Sequence, residues 1–166
     1  RTGEVKLVPS NLADCVDEAV HLLELDHEAK PINFENGTNR ELIVLADSQR
    51  LLQVFINLLG NSRDACDPGG TVSVQAKQLA DWVTIDVTDD GCGVPADHHA
   101  QVFDPFYTTK DPGEGTGLGL ALVYTIMEDM GGHVQLESPI DDNINHPGTR
   151  VTLELPLGHY GSEFEV

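Results

Sequence analysis

Residues 113–120 read "GEGTGLGL", and an apolar run, "ALVYTIMEDMGG" (121–132), follows without a break. Glycines at alternate positions leave backbone N–H groups open, and the start of a helix adds a positive dipole end. Together these features receive phosphate. Which phosphate loop this is decides the fold. A Walker A loop needs G-x-x-x-x-G-K-[ST], and no glycine here is followed by that Lys-Ser/Thr pair. The dinucleotide fingerprint G-x-G-x-x-G fails at "GTGLGL", where Leu120 stands in the place of the third glycine. It is formally met by "GCGVPA" (91–96) after a strand, but no βαβ crossover follows. A protein-kinase glycine loop would lead into a strand carrying a V-A-I-K lysine, and here a helix follows instead.

Working outward, the chain alternates between helical and extended patterns. Residues 4–8 read as a short strand, and Ser10 or Asn11 caps a helix expected to run to Glu28. "INFEN" (32–36) and "LIVLA" (42–46) read as strands separated by the turn-rich "NGTNR". Asp47 or Ser48 caps a helix to about Cys66, stopped by "DPGG". "TVSVQAKQL" (71–79) and "WVTIDVTD" (82–89) alternate apolar and polar residues across a tight Ala80-Asp81 connection, the pattern of a hairpin. Residues 90–117 are rich in Gly and Pro and poor in periodicity, which marks a lid or binding loop. A helix from about Gly117 to Met130 and two closing strands, "GGHVQLES" and "TRVTLELP", complete the chain. The expected class is α+β: a two-layer α/β sandwich with helices on one face of a mixed, mostly antiparallel sheet. A domain over residues 1–160 with a tail at 161–166 is expected.

The 166 residues make one domain by size, with a net charge of −19 from nine basic and 28 acidic side chains. That balance argues against nucleic acid, because nothing would neutralise a phosphate backbone over a broad face. No apolar run approaches the ~18 residues that span a bilayer, and the first residues lack a signal-peptide pattern. No direct membrane contact is expected. Cys15, Cys66 and Cys92 are too few and too far apart for a disulfide framework or a zinc knuckle, which fits reduced thiols.

The helix over 47–65 carries two stripes. Leu51, Val54, Phe55, Leu58, Leu59 and Ser62 recur at three and four residues and face a core. Gln53, Asn57 and Asn61, with Asp64 beyond, form a second stripe about 100° away. Asparagine is a poor helix former, so two on one face need a reason. Solvated surface amides, amides satisfying buried backbone groups, and carbonyl ligands for Mg²⁺ all fit the pattern. "DDGCG" (89–93) ends an apolar strand with a carboxylate able to accept from an exocyclic amine, or with a plain Asx turn. "FDPFYTTK" (103–110) offers Phe103 and Phe106 as loop anchors beside hydroxyls and Lys110. His27, in "DHEAKP", reads as a helix-end histidine suited to a C-terminal dipole, and His98, His99 and His133 as surface residues.

In this order the pieces resemble the ATP-binding catalytic domain of sensor histidine kinases, in the superfamily shared with gyrase, Hsp90 and MutL. "LLQVFINLLGNSRDA" is similar to its asparagine box, "DDGCGVP" to its first glycine box and "VFDPFYTTK" to its phenylalanine box. "GEGTGLGLALVYTIMEDMGG" is similar to its second glycine box and "GTRVTLELP" to its closing strand. The likeness spans about residues 10–156, and its wording is nearest to the nitrogen- and dicarboxylate-sensing kinases.

The resemblance implies the Bergerat ATP-binding fold, with ATP and Mg²⁺ as cofactors. It implies that Asn61 binds the metal, with Asn57 and Asp64 near the phosphates. Asp89 would read the adenine amine, supported through water by Thr149, while Gly91 and Gly93 give room for the base and Val94 packs near it. Thr108, Thr109 and Lys110 would reach the nucleotide from a lid, Lys110 touching the γ-phosphate. Gly115, Thr116, Gly117, Leu118 and Gly119 would present the phosphate-binding backbone. Asn57 and Lys110 are the candidate catalytic residues. An amide stands at Asn57 where gyrase-like members carry a glutamate that activates water, so transfer is favoured over hydrolysis. "DHEAKP" imitates the family's His-Glu-x-x-x-Pro box, but Pro31 comes one residue early, and no acceptor histidine is found. The expectation is therefore a cytoplasmic catalytic domain of a two-component kinase. It would donate the γ-phosphate of Mg·ATP to a histidine on its own upstream dimerisation segment, and a response-regulator receiver domain would act downstream. The isolated domain is expected to be monomeric and the full kinase a homodimer. A serine-directed relative of the anti-sigma-factor kind and a nucleotide sensor without transfer are the alternatives.

Overall fold

The computed structural model describes residues 4–99, 101–104 and 119–159. Within them the chain runs β1 (Val8–Asn11), α1 (Leu12–Glu24), β2 (Asn33–Asn36), β3 (Ile43–Ala46), α2 (Ser48–Ala65), β4 (Thr71–Leu79) and β5 (Trp82–Asp89). A 3-10 turn at Ala96–His98, α3 (Gly119–Asp129), β6 (His133–Glu137) and β7 (Thr149–Pro156) follow. The main sheet has the order β2-β4-β5-β7-β6, parallel between β2 and β4 and antiparallel elsewhere. β1 and β3 form a separate antiparallel pair, linked to the end of β7 by the bridge Val44–Leu157.

Alternation builds the two layers. Val83, Ile85 and Val87 of β5 are buried, as are Val72 and Val74 of β4 and Val151, Leu153 and Leu155 of β7, while the residues between them turn to the opposite face. The helices cover the buried face. α2 contributes Leu51, Val54, Phe55, Leu58 and Leu59, α1 Leu12 and Val16, and α3 Val123, Ile126 and Met127, all in one cluster. Each such side chain contributes ~1.5–3 kcal/mol through burial. The expected sandwich is therefore present. Its register sets Asp89, the last residue of β5, opposite Val72 of β4 and Thr149 of β7.

Local boundaries differ from the sequence reading in physical ways. The first strand is not 4–8 but Val8–Asn11, because pairing with Ile43–Ala46 selects the residues that extend. Ser10 lies in that strand, and Asn11 is the cap of α1, its side chain accepting from Asp14 N–H at 3.0 Å. α1 ends at Glu24 rather than Glu28; Asp26 Oδ1 accepts from Glu28 N–H at 3.1 Å and closes a turn ahead of Pro31. His27 consequently sits in that turn and not at a helix end. Asp47, not Ser48, caps α2, accepting from Arg50 N–H. The start of the segment read as a lid or binding loop holds the Ala96–His98 turn. Ala80, at the hairpin tip, takes φ 55°, a left-handed conformation that costs an alanine more than a glycine.

Candidate functional site

α2 is anchored at both ends. Asp47 caps its N-terminus and pairs with Arg50, while Lys30 Nζ donates to the carbonyls of Asp64 (3.1 Å) and Cys66 (2.8 Å) at its C-terminus. The apolar stripe of this helix fixes its rotation, so Asn57 and Asn61 turn together, one turn apart, along the border of the core. Asn57 is half-buried, and its Nδ2 is fully covered with no hydrogen-bond partner among the described residues. A buried donor left unmatched costs ~1–3 kcal/mol, so a binding partner that accepts from it would recover a real penalty. Asn61 is half-buried beside the start of α3. A Cβ built on Gly119 would lie 2.9 Å from Asn61 Nδ2, so a side chain there would push the amide aside. Asp64, a turn further on, is exposed.

Asp89 forms the other wall. It is 5% exposed, and Gly91 N–H donates to its Oδ1 at 2.9 Å. The Ser62 hydroxyl and the Thr149 N–H also donate to the carboxylate. Burial pushes its pKa up, Asp90 adds to that, and the three donors hold it down against both. A carboxylate offers about four lone-pair sites, so three donors leave room for one more. Directly after Asp89 the chain passes tightly under α2. Cys92 N–H donates to Ala65 O at 3.1 Å, and a Cβ at Gly91 would lie 2.6 Å from that oxygen. Gly93 takes φ 75° and Val94 is half-buried. The neighbouring Cys66 thiol is pushed up to about 12 by burial and then by Asp89 and Asp90, which leaves it protonated and inert.

Asn57, Asn61, Asp89, Gly91, Gly93, Gly119 and Thr149 are thus gathered where α2, the end of β5, the start of β7 and the start of α3 meet. Thr108, Thr109, Lys110, Gly115, Thr116, Gly117 and Leu118 lie outside the described residues. Thr149 reaches Asp89 through its backbone N–H, and its hydroxyl lies 3.5 Å from Ser138 Oγ. His99 is not a free surface group, for its Nε2 lies 2.9 Å from Val94 O; His133 stacks on Trp82 with ring centroids 5.8 Å apart. Two residues escaped sequence reasoning. Ser62 was assigned to the core stripe, and the signal was its hydroxyl, the one polar group in an otherwise apolar row. Ser138 stood only as the last residue of the strand reading "GGHVQLES", which says nothing about its partners across the fold.

The amide pair, the buried strand-end carboxylate and the glycines that admit close backbone form the constellation that family comparison then meets. The model of the Histidine kinase-, DNA gyrase B-, and HSP90-like ATPase family matches residues 46–159. The chain belongs to this family. Among relatives of this ATPase domain, the sensor histidine kinase ZraS of Salmonella typhimurium is 38% identical over 159 residues, 95% of this chain and 33% of that protein. The chain spans about a third of the length of such curated relatives. Full-length ShkA, solved in complex with AMPPNP, superposes with a TM-score of 0.77 at 27% identity, over 95% of this chain and 32% of that one. The histidine kinase ThkA, solved in complex with the response regulator protein TrrA, superposes with a TM-score of 0.74 at 27% identity, over 92% of this chain and 42% of that one.

Proposed function

We propose that this ATPase-family domain binds Mg·ATP in the cleft between α2 and the ends of β5 and β7, and donates the γ-phosphate to a histidine on a separate helical segment of the same sensor kinase. The observation that carries the reading is one site holding both a buried carboxylate gripped by three donors and a buried amide Nδ2 with no partner among the described residues. Asp89 accepts from the adenine amine; Gly91 and Gly93 keep side chains away from the ring, and Val94 packs beside it. Asn57 Nδ2 donates to a phosphate oxygen. The oxygen of the Asn61 amide suits Mg²⁺, which when bound supplies charge neutralisation at the phosphates. Gly119 heads a helix whose dipole favours the anion, and Gly115, Thr116, Gly117 and Leu118 supply further backbone N–H groups to the phosphates. Thr108, Thr109 and Lys110 supply further contacts to the nucleotide, Lys110 to its γ-phosphate.

Neither Asn57 nor Asn61 takes a proton, so neither amide activates water, and the domain positions a phosphoryl group for transfer rather than for hydrolysis. The acceptor histidine, the dimerisation segment and a response regulator belong to the proposal for the whole protein, as does a cytoplasmic placement of this domain. Structures of relatives with AMPPNP and with a response regulator support it. No described helix is long and apolar enough to cross a membrane.

The test is radiolabel transfer from γ-labelled ATP to the histidine-bearing segment supplied in trans. Transfer should need Mg²⁺ and fail in Asn61→Ala, while ADP binding in that variant falls less. Rapid ATP turnover by the domain alone, or full transfer by Asn61→Ala, would overturn the reading.

A further inference from the structure

The geometry points to Ser138 as a positioning residue for the base end of the proposed nucleotide site: its hydroxyl bolts the Gly91–Val94 backbone to the strand that carries Thr149. This rests on the adenine-nucleotide reading and deepens it. Ser138 lies just beyond β6 and is 6% exposed. Its Oγ donates to Gly148 O at 2.7 Å and accepts from Val94 N–H at 2.8 Å, a contact spanning 44 residues of chain. The same oxygen has Thr149 Oγ1 at 3.5 Å, and a Cβ on Gly93 would come within 2.9 Å of it. Gly148 in turn donates from its N–H to Gly91 O at 3.0 Å, and a Cβ there would lie 2.5 Å from Asp89 O. One hydroxyl therefore ties together the loop after Asp89 and the start of β7, the two segments whose N–H groups hold the Asp89 carboxylate.

The placement has a chemical consequence. Val94 N–H has its partner in Ser138 and Val94 O has His99, so both polar groups of this residue are held from opposite sides. Loss of the hydroxyl frees the N–H to seek water, and the loop then leaves the position that flanks the base. Binding must impose that position again without the hydrogen bond. The loss falls on the base end of the ligand and is equal for nucleotides that differ only in phosphate number. A phosphate contact would instead weaken ATP more than AMP.

The experiment is calorimetry of AMP, ADP and ATP with Mg²⁺ against wild type, Ser138→Ala and Ser138→Thr, with amide hydrogen exchange on each protein. Ser138→Ala should weaken all three ligands by a common factor of about tenfold. Protection should fall at Val94 while α2 and β5 amides keep theirs, and Ser138→Thr, which restores the hydroxyl, should recover most of the affinity. The inference is overturned if Ser138→Ala binds within twofold of wild type, if the loss grows with phosphate number, or if Ser138→Thr fails to recover affinity while folded. It is also overturned if protection collapses across the whole sheet, since Ser138 is then only structural. A wild-type domain that binds none of the three ligands would sink the nucleotide reading itself, and the inference with it.

Discussion

Asp89 shows how one residue can carry both an energetic cost and a use. Its carboxylate sits where burial disfavours charge, held by donors from Gly91, Ser62 and Thr149. Burial outweighs the donors, so its pKa is raised and the folded domain binds this proton more readily than the unfolded chain does. The contribution of Asp89 to stability is then greatest below the usual carboxylate value and declines as pH rises from there through the raised value. Asp89→Asn removes the titration. The difference in unfolding free energy, wild type minus Asp89→Asn, should fall with rising pH across that window in urea melts, and a flat difference would contradict the raised pKa. The variant should remain folded at pH 7 and lose adenine nucleotide binding. Asn57 carries a matching cost, since its buried Nδ2 has no partner among the described residues. Stability is given up at both residues the proposed ligand would satisfy.

At the scale of elements, the site is only as well placed as α2, which carries Asn57, Asn61 and Ser62. Asp47 holds its first turn, and Arg50, 14% exposed, reaches both Asp47 and Asp129 at the end of α3. Asp47→Ala should cost ~1 kcal/mol, the loss of an N-cap, read as a lower urea midpoint with an unchanged slope. A Ser replacement, which keeps a capping oxygen, should recover most of it. Helices and central strands were legible from the chain alone because their periodicities, the stripe on α2 and the alternation in β4, β5 and β7, are local. The first strand was not, because Val8–Asn11 extends only by virtue of its partner β3. Of the candidate site, Asn57 and Asn61 stood out by their spacing on one helix face and Asp89 by its place at a strand end, while the roles proposed for them came from the family resemblance. Ser138 was not, because its meaning lies in contacts with Val94 and Gly148 that no spacing encodes.

For the whole molecule the dominant fact is a net charge of −19 with only nine Lys and Arg side chains. Several of those cations are already engaged. Lys30 holds the end of α2, Arg40 pairs with Asp17 and Asp14, Arg63 donates to Leu23 O, and Arg150 pairs with Glu137. An anionic nucleotide thus approaches a surface whose summed field repels it, and the compensating groups act only at contact: the Asn57 amide, the α3 N-terminus and, on the proposal above, Lys110 and Mg²⁺. Salt has opposite effects on the two regimes. The long-range repulsion is screened as the Debye length shrinks from ~30 Å at 0.01 M to ~8 Å at 0.15 M, whereas contacts formed in the cleft lie inside even the shorter length. Association of a fluorescent adenine nucleotide, followed by stopped flow at fixed Mg²⁺, should therefore accelerate by roughly twofold or more over that range, with little change in the dissociation rate. A steered, cation-lined site gives the opposite trend. Slower association at higher salt would mean that the local positive potential of the cleft outweighs the charge of the whole chain, and that the proposed Lys110 contact acts well before the nucleotide is seated.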